Sequence, residues 1–513
     1  MFKKLLLLSG FTIGCQIANA QPTIQFERNF GGTNNEQINC MLQTSDGGYL
    51  LVGTTNSNNG DVLNPISGDD VWIVKTNPNG TITWRKTFGG TGDDRAFAAQ
   101  QTSDGGYIVT GTSNSTSGDV INNRGGFDIF LLKINASGIK TWWKNIGGSD
   151  DDEARSVWQH SDGGYILAGG TKSDDQQLNN NKGGYDFLVA RVNSAGNLRW
   201  CRNYGGSSDE IASGLQQTSA GDIIVAGSTT SNDNNVSNNK GGSDYWVVRL
   251  KGNGDIKWAK TFGGTDYDEA ASIQQTSTGN FVIAGTAISN NGDVPGNKGG
   301  ADFWVIRING VGGIVWSRNY GGGTADDARS IRQTPDGGFL IAGETESASN
   351  QVPNNSGGDD FLIVKISSNG AFQWAETSGG SDDDRAYSIV TTNDGGFAVA
   401  GASQSDDGNV GNNNGNNDFW FVKYNSSASR FGIDAAESIV KIYPNPVFDQ
   451  LFINSVDQIE IIRIYNSMGQ LQLTNTIGNT NGVMNLSNLS SGLYILESIN
   501  DQGIGTRQSF IKQ

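Results

Sequence analysis

The chain counts in steps of 58. A Gly-Gly pair follows Phe30, Phe88, Ile146, Tyr204, Phe262, Tyr320 and Ser378, each marker 58 residues after the last, with no insertion or deletion. Four residues before each marker stand Phe26, Trp84, Trp142, Trp200, Trp258, Trp316 and Trp374. A tight-turn phrase keeps the same count: "TSDGGY" at Thr44 and Thr102, "HSDGGY" at His160, "TSAGDI" at Thr218, "TSTGNF" at Thr276, "TPDGGF" at Thr334 and "TNDGGF" at Thr392. A period of this length means a solenoid, a propeller or an array, because one such unit cannot bury its own apolar faces and must stack on its neighbours.

Each unit holds four strand-like runs. In the second copy they are "AFAAQQT", "GYIVTGTS", "DIFLLKIN" and "IKTWWKNI". The first pair is joined by Asp-Gly-Gly and the second by Ala-Ser-Gly, short turns that supply the positive φ a hairpin needs. The third run is apolar on both faces, as a strand sandwiched between sheets must be. The unit is therefore expected to be a four-stranded antiparallel sheet, and the fold class all-β.

The two ends of the array carry complementary defects. "TIQFERNF" (Thr23–Phe30) matches only the fourth strand of a unit, whereas the last copy supplies "AYSIVTT", "GFAVAGAS" and "DFWFVKYN" and then stops. The first strand fits that vacancy, giving seven complete sheets and no exposed edge. In topology, though not in motif, this arrangement resembles seven-bladed β-propellers such as the WD-repeat proteins. The expected architecture is a seven-bladed propeller over residues 21–425.

Composition narrows the partners. A net charge of −17 argues against nucleic acid and against an anionic membrane surface. After the N-terminus no segment approaches the run of about 18–20 apolar residues that spans a bilayer. The N-terminus itself reads as an export signal: Lys3 and Lys4, the run "LLLLSGFTIG", then Ala18-Asn19-Ala20, with cleavage expected after Ala20. "TIGC" (Thr12–Cys15) is a competing lipoprotein box, though Leu is usual where Thr12 stands. Beyond the signal only Cys40 and Cys201 remain, too few for a disulfide scaffold.

Two acidic positions are the same in every copy. One follows the marker by six residues: Glu36, Asp94, Asp152, Glu210, Asp268, Asp326 and Asp384. The other opens the third strand: Asp70, Asp128, Asp186, Asp244, Asp302, Asp360 and Asp418. Both fall on the face that carries the long Asn/Asp/Gly-rich loops, where binding residues usually sit. They are the candidate ligand or calcium residues. Within one unit, however, the first and third strands stand roughly 9–10 Å apart, and no loop has EF-hand spacing. The alternative is that each acid accepts backbone N–H bonds in its turn or pairs with a basic residue. No other cofactor is expected.

Catalysis has little to build on. The one histidine, His160, stands where the other copies have Thr, which removes Ser-His-Asp, Cys-His and His-ligated metal sites. Cys40 fills a slot taken elsewhere by Ala98, Ser156, Gly214, Ser272, Ser330 and Ser388, so a buried thiol is expected. The "SDGG" turns have a vague likeness to sialidase Asp-boxes, without the aromatic spacing or an arginine triad. Paired carboxylates leave a glycosidase-like enzyme as the alternative, and a structural spacer as a third reading. The fourth-strand pattern Trp-x-Lys/Arg-x-aromatic is expected to be packing between sheets, with the basic stems lying on the rings; a sugar platform is its alternative.

Past a polar linker (426–438) the composition turns Ile- and Leu-rich. "IVKIYPNPVFDQLFINS", "IEIIRIYNSMGQLQL", "NLSNLSSGLYILES" and "RQSFIKQ" read as short alternating strands, enough for a small β-sandwich. Tyr443-Pro444-Asn445-Pro446, the Met468-Gly469 turn, Gly492-x-Tyr494 and Lys512 make residues 439–513 resemble the C-terminal sorting domain of type IX secretion substrates, found on exported Bacteroidetes proteins. That resemblance implies passage across the outer membrane, with the type IX machinery as partner, then release or attachment at the cell surface. The whole chain is thus expected to be a signal peptide (1–20), a propeller, a linker and a sorting domain. The cargo is expected to be a monomeric, non-catalytic binding or adhesion module for glycan or protein.

Overall fold

The computed structural model describes residues 21–353, 355–425, 440–466, 470–500 and 505–513. The expected signal peptide with Ala20, the linker and the Met468-Gly469 turn lie outside the described residues. The chain divides into two compact units, Met1–Ala428 and Ser429–Gln513, and each is described by itself.

In the first unit β1 (Ile24–Phe30) precedes β2 (Glu36–Gln43), β3 (Tyr49–Thr55), β4 (Asp70–Thr76) and β5 (Ile82–Phe88). Strands β2 to β5 form an antiparallel sheet in sequence order. The same sheet recurs five times, with first strands Asp94–Gln101, Asp152–Gln159, Glu210–Gln217, Asp268–Gln275 and Asp326–Gln333. In a seventh set, Asp384–Thr391, Phe397–Ser403 and Asp418–Tyr424, the fourth place is taken by β1, with Phe30 opposite Phe419. Among the described residues every regular element is a strand. First strands pack on first strands of adjacent sheets, and β2 packs on both Asp94–Gln101 and Asp384–Thr391.

Burial explains the composition of each strand. The second and third strands lie between neighbouring sheets, and Tyr107–Ser113 and Asp128–Ile134 are buried along their whole length. Apolar clusters bridge sheet to sheet: Phe88, Val71 and Ile73 pack with Ala96, Tyr107 and Phe130, and Phe419 and Phe421 pack with Ile38, Tyr49 and Trp72. The fourth-strand tryptophan also reaches across. Trp84 lies 6.3 Å from the Tyr107 ring and donates its Nε1–H to Ala136 O at 3.2 Å. It rests on Gly138, which has φ +74° and whose Cβ, if present, would sit 2.9 Å from Trp84 Cε3. That turn needs glycine twice, for its backbone and for the ring beneath it. Arg28 stacks over Phe26 at 5.0 Å, as the Trp-x-basic pattern suggested for that copy.

The tight-turn end carries a second repeated contact. Third-strand cations Lys75, Lys133, Arg191, Arg249, Lys365 and Lys423, all buried but the half-buried Arg249, pair with turn carboxylates Asp46, Asp104, Asp162, Asp222, Asp336 and Asp394 at 2.6–3.0 Å. In the fifth copy the turn offers Thr278, and Arg307 donates to its hydroxyl at 2.8 Å instead. His160 is a turn residue, its Nδ1 accepting the Asp162 N–H at 3.2 Å.

The second unit is one hydrogen-bonded sheet of five strands rather than a pair of separate sheets. The long strand Gln450–Asn466 pairs with Leu471–Asn485 through both its halves. Its other edge pairs with Val440–Tyr443 in the first half and Gly492–Asn500 in the second. Register shifts between Asn454 and Ile461 break the ladder midway. The two halves share one core, with Leu451 and Ile453 from one and Ile462, Ile464, Leu496 and Phe510 from the other. Alternation reads the apolar face correctly, but not a strand long enough to serve both halves.

Candidate functional site

The fourteen repeated carboxylates are buried, none more than 1% exposed. Sequence topology set them at the loop face, and the structure sinks them beneath it. They meet across sheets, not within one. A Cβ on Gly321 would collide with both Asp302 Oδ1 and Asp326 Oδ2, and the first glycine of the marker is flanked likewise at Gly31, Gly89, Gly205, Gly263 and Gly379. The third-strand Asp of one sheet thus faces the first-strand acid of the next. The missed signal lay in the marker: glycine is required there because two carboxyl groups occupy the space a side chain would fill.

Each member of a pair has its own partners. Glu36, Asp94, Asp152, Glu210, Asp268, Asp326 and Asp384 accept the N–H of the marker's second glycine at 2.6–2.8 Å. Through Oδ2, Asp70, Asp128, Asp186, Asp244, Asp302, Asp360 and Asp418 accept the N–H four residues earlier at 2.7–3.0 Å. Their Oδ1 atoms have no hydrogen-bond partner. Burial, with the neighbouring carboxylate adding to it, pushes Asp70 up to about 7 and Asp302 to about 6. Burial raises Asp94 and Asp326 as well. Each node offers two carboxyl groups. Among the described residues no group of three or more His, Cys, Asp or Glu is placed to hold a metal ion.

The accessible chemistry lies elsewhere. Every first strand carries a bulge at its fourth residue, where the register slips between, for example, Ile38 and Cys40. The bulged residues are Asn39, Phe97, Arg155, Ser213, Ala271, Arg329 and Tyr387, and all seven line a cavity of about 680 Å³. The same seven line a continuation of about 340 Å³. A bulge re-aims one side chain out of the sheet's alternation, and here it aims seven at one space. Sequence reading found no unit that broke the symmetry. One break is in this column, where seven positions hold six residue types while the paired acidic positions are always Asp or Glu. Arg155 pairs with Glu153 at 2.8 Å and Arg329 with Glu344 at 2.6 Å. Cys40 also lines the inner part; its thiol is 3.7 Å from Ala99 O, and burial raises its pKa.

In the second unit the motif residues hold the last strand. Asn445 Oδ1 accepts the Ile511 N–H at 2.9 Å, and Val447 N–H donates to Ile511 O at 2.8 Å. Lys512, buried, lies 3.6 Å from Asp449. Tyr494 stacks on Phe510 and donates its hydroxyl to Ser490 O. Tyr443, beside Pro444 and Pro446, is half exposed and stacks on Phe452 at 5.7 Å. Gly492 begins the strand paired with Lys512.

An all-β repeat body followed by a small β-domain built on these motif residues defines an exported protein with a sorting tail. Residues 441–513 match the family model of the secretion system C-terminal sorting domain. The tail marks the chain for handling by the type IX secretion machinery and for delivery to the cell surface or the medium. Over 276 residues the chain is 25% identical to regulatory protein FlaEY of Caulobacter vibrioides, a match that takes in 50% of this chain and 28% of that protein. Among solved structures it is similar to PorZ, an essential bacterial surface component of the type IX secretion system of Porphyromonas gingivalis. That likeness has a TM-score of 0.39 and 11% identity, over 94% of this chain and 60% of that one. It is also similar to the extracellular domain of the hybrid two component system BT3049 from B. thetaiotaomicron, with a TM-score of 0.27 and 10% identity over 93% and 72% of the two chains. No helix among the described residues is long and apolar enough to cross a membrane.

Proposed function

We propose that residues 21–425 form a closed seven-bladed β-propeller and that this body is a non-catalytic binding or adhesion module, carried out of the cell by its tail. Closure is supported by β1 completing the seventh sheet and by β2 packing on the first strands of both its neighbours. The observation that carries the binding reading is the column of bulged residues. A scaffold that repeats its marker glycines, its paired acids and most of its fourth-strand tryptophans varies at positions that look into a shared cavity, the bulged residues among them. A spacer has no use for that variation.

The carboxylates support the same reading against the glycosidase alternative. Their pairs are equivalent and fully buried, where a saccharide cannot reach them. They serve as turn acceptors at the junctions between sheets, and calcium is not needed to explain them. The ligand is a glycan or a protein segment, and the module acts as a monomer. A glycan-array screen of the exported chain tests this. Retention of defined glycans without turnover is the expected result; release of reducing ends from a bound glycan would turn the reading to an enzyme.

A further inference from the structure

We infer that the inner part of the axial cavity is an anion site and that its ligand is an acidic sugar, a hexuronate residue. This rests on the binding reading above and names the chemistry of that site. The inner 340 Å³ is lined by Arg155, Arg329 and Arg332 and, among the described residues, by no carboxylate, although Arg155 and Arg329 are already paired with Glu153 and Glu344 and the protein as a whole carries a charge of −17. Arg332 is the informative one. Among the described residues it has no carboxylate within ion-pair distance, and its Nη1 donates to Ile331 O at 2.8 Å.

The packing between sheets engages several of this layer's acceptor oxygens. Gln100 Oε1 accepts the Gln159 N–H, Gln216 Oε1 that of Gln275 at 2.6 Å, and Gln274 Oε1 that of Gln333 at 2.7 Å. A backbone N–H fixes which end of each amide is oxygen, so the groups left over are NH₂ donors. Ser156 and Ser388 likewise spend an oxygen lone pair on the N–H of Leu215 and Met41, at 3.1 Å each. The donors left for a ligand, guanidinium and amide N–H, suit a carboxylate.

The aromatic side chains select the rest of the ligand. Phe97 and Tyr387 stand among the bulged residues, and Trp158 lines the inner part. Their faces suit the C–H face of a pyranose ring. The outer part has a mixed rim, with Glu269 and Asp327 beside Arg155 and Arg329, so the carboxylate end points inward toward Arg332.

Calorimetric titration of the full exported chain with digalacturonate, with the matched neutral disaccharide lactose, and with sodium phosphate tests the inference. Digalacturonate should bind, more weakly as salt is raised, while lactose and phosphate leave no heat. R332Q should lower the affinity at least tenfold. Q274E keeps the carbonyl that accepts the Gln333 N–H but replaces the NH₂ donor with an acceptor, and should weaken binding similarly in a protein whose melting temperature is retained. Equal binding of lactose, or binding of phosphate alone, would overturn the acidic-sugar assignment and leave the binding reading standing. Digalacturonate binding unchanged in both variants would remove the site from the cavity. An array on which no glycan or protein is retained would sink the binding reading itself.

Discussion

Asp302 and Asp326 show what a single repeated residue is asked to do. Each accepts a backbone N–H that would otherwise be buried without a partner, and the two carboxyl groups share one glycine. The folded-state pKa of Asp302, about 6, and of Asp70, about 7, lies above the unfolded value near 4. The folded chain therefore holds more protons than the unfolded chain between about pH 4 and pH 7, and its stability rises as pH falls through that window. The tight-turn acids act in the opposite sense. Against a desolvation that would raise it, hydrogen bonds from Thr44 and Lys75 hold Asp46 down at about 2, and that stabilisation is lost as pH falls below 4. Melting temperature measured from pH 3 to pH 8 should peak near pH 4–5; a maximum at pH 7–8 would contradict this account. D302N should lift stability at pH 8 by about 1–3 kcal/mol, by about half as much at pH 5, and change little below about pH 4. An amide keeps the acceptor for the Lys298 N–H and offers Asp326 a donor. Chelator should leave the parent's melting curve where it is; a fall of many degrees, reversed by calcium, would make the pairs a metal site. T278D tests the other repeated contact by giving Arg307 the carboxylate its counterparts have, with an expected gain of about 0.2–1 kcal/mol in chemical denaturation.

At the scale of the strand, β1 is the informative element. It supplies the fourth strand of a sheet whose other three lie at the far end of the repeat region. Deleting residues 21–30 should leave Asp418–Tyr424 with an open edge and uncover Phe419 and Phe421, so aggregation or a large drop in melting temperature is expected. A deletion variant that melts like the parent would remove the argument for closure. The strand order, the four runs per unit and the place of β1 were all legible, because period-2 burial and Gly-rich turns write themselves into the sequence. The role of Trp84 beneath the next turn was legible as packing. The bulge was not. Phe97, Arg155 and Tyr387 sit in strands whose alternation looks regular, and only hydrogen-bond register reveals the extra residue that turns them toward the cavity. The pairing of Asp302 with Asp326 was hidden for a related reason: reasoning inside one unit cannot see a junction made by two.

At the scale of the whole chain, address and cargo separate. Truncation after Ser438 removes the sorting domain and leaves every described strand of the first unit in place. The truncated protein should fold, with a melting temperature within a few degrees of the parent's first transition, and should accumulate in the periplasm. Surface delivery of that variant would contradict the sorting role. The N-terminal strand has a kinetic meaning as well. Thr23 and Asn425, which hydrogen-bond beside the closing strand pair, are 402 residues apart, and joining ends so distant costs on the order of 5 kcal/mol in chain entropy before any contact repays it. A nascent chain with five or six finished sheets cannot seal itself, because its N-terminal strand has nothing to close against. The pairing of β1 with Asp418–Tyr424 can therefore form only after the last strand of the repeat region has been made, which sets an order on folding that no earlier sheet can bypass.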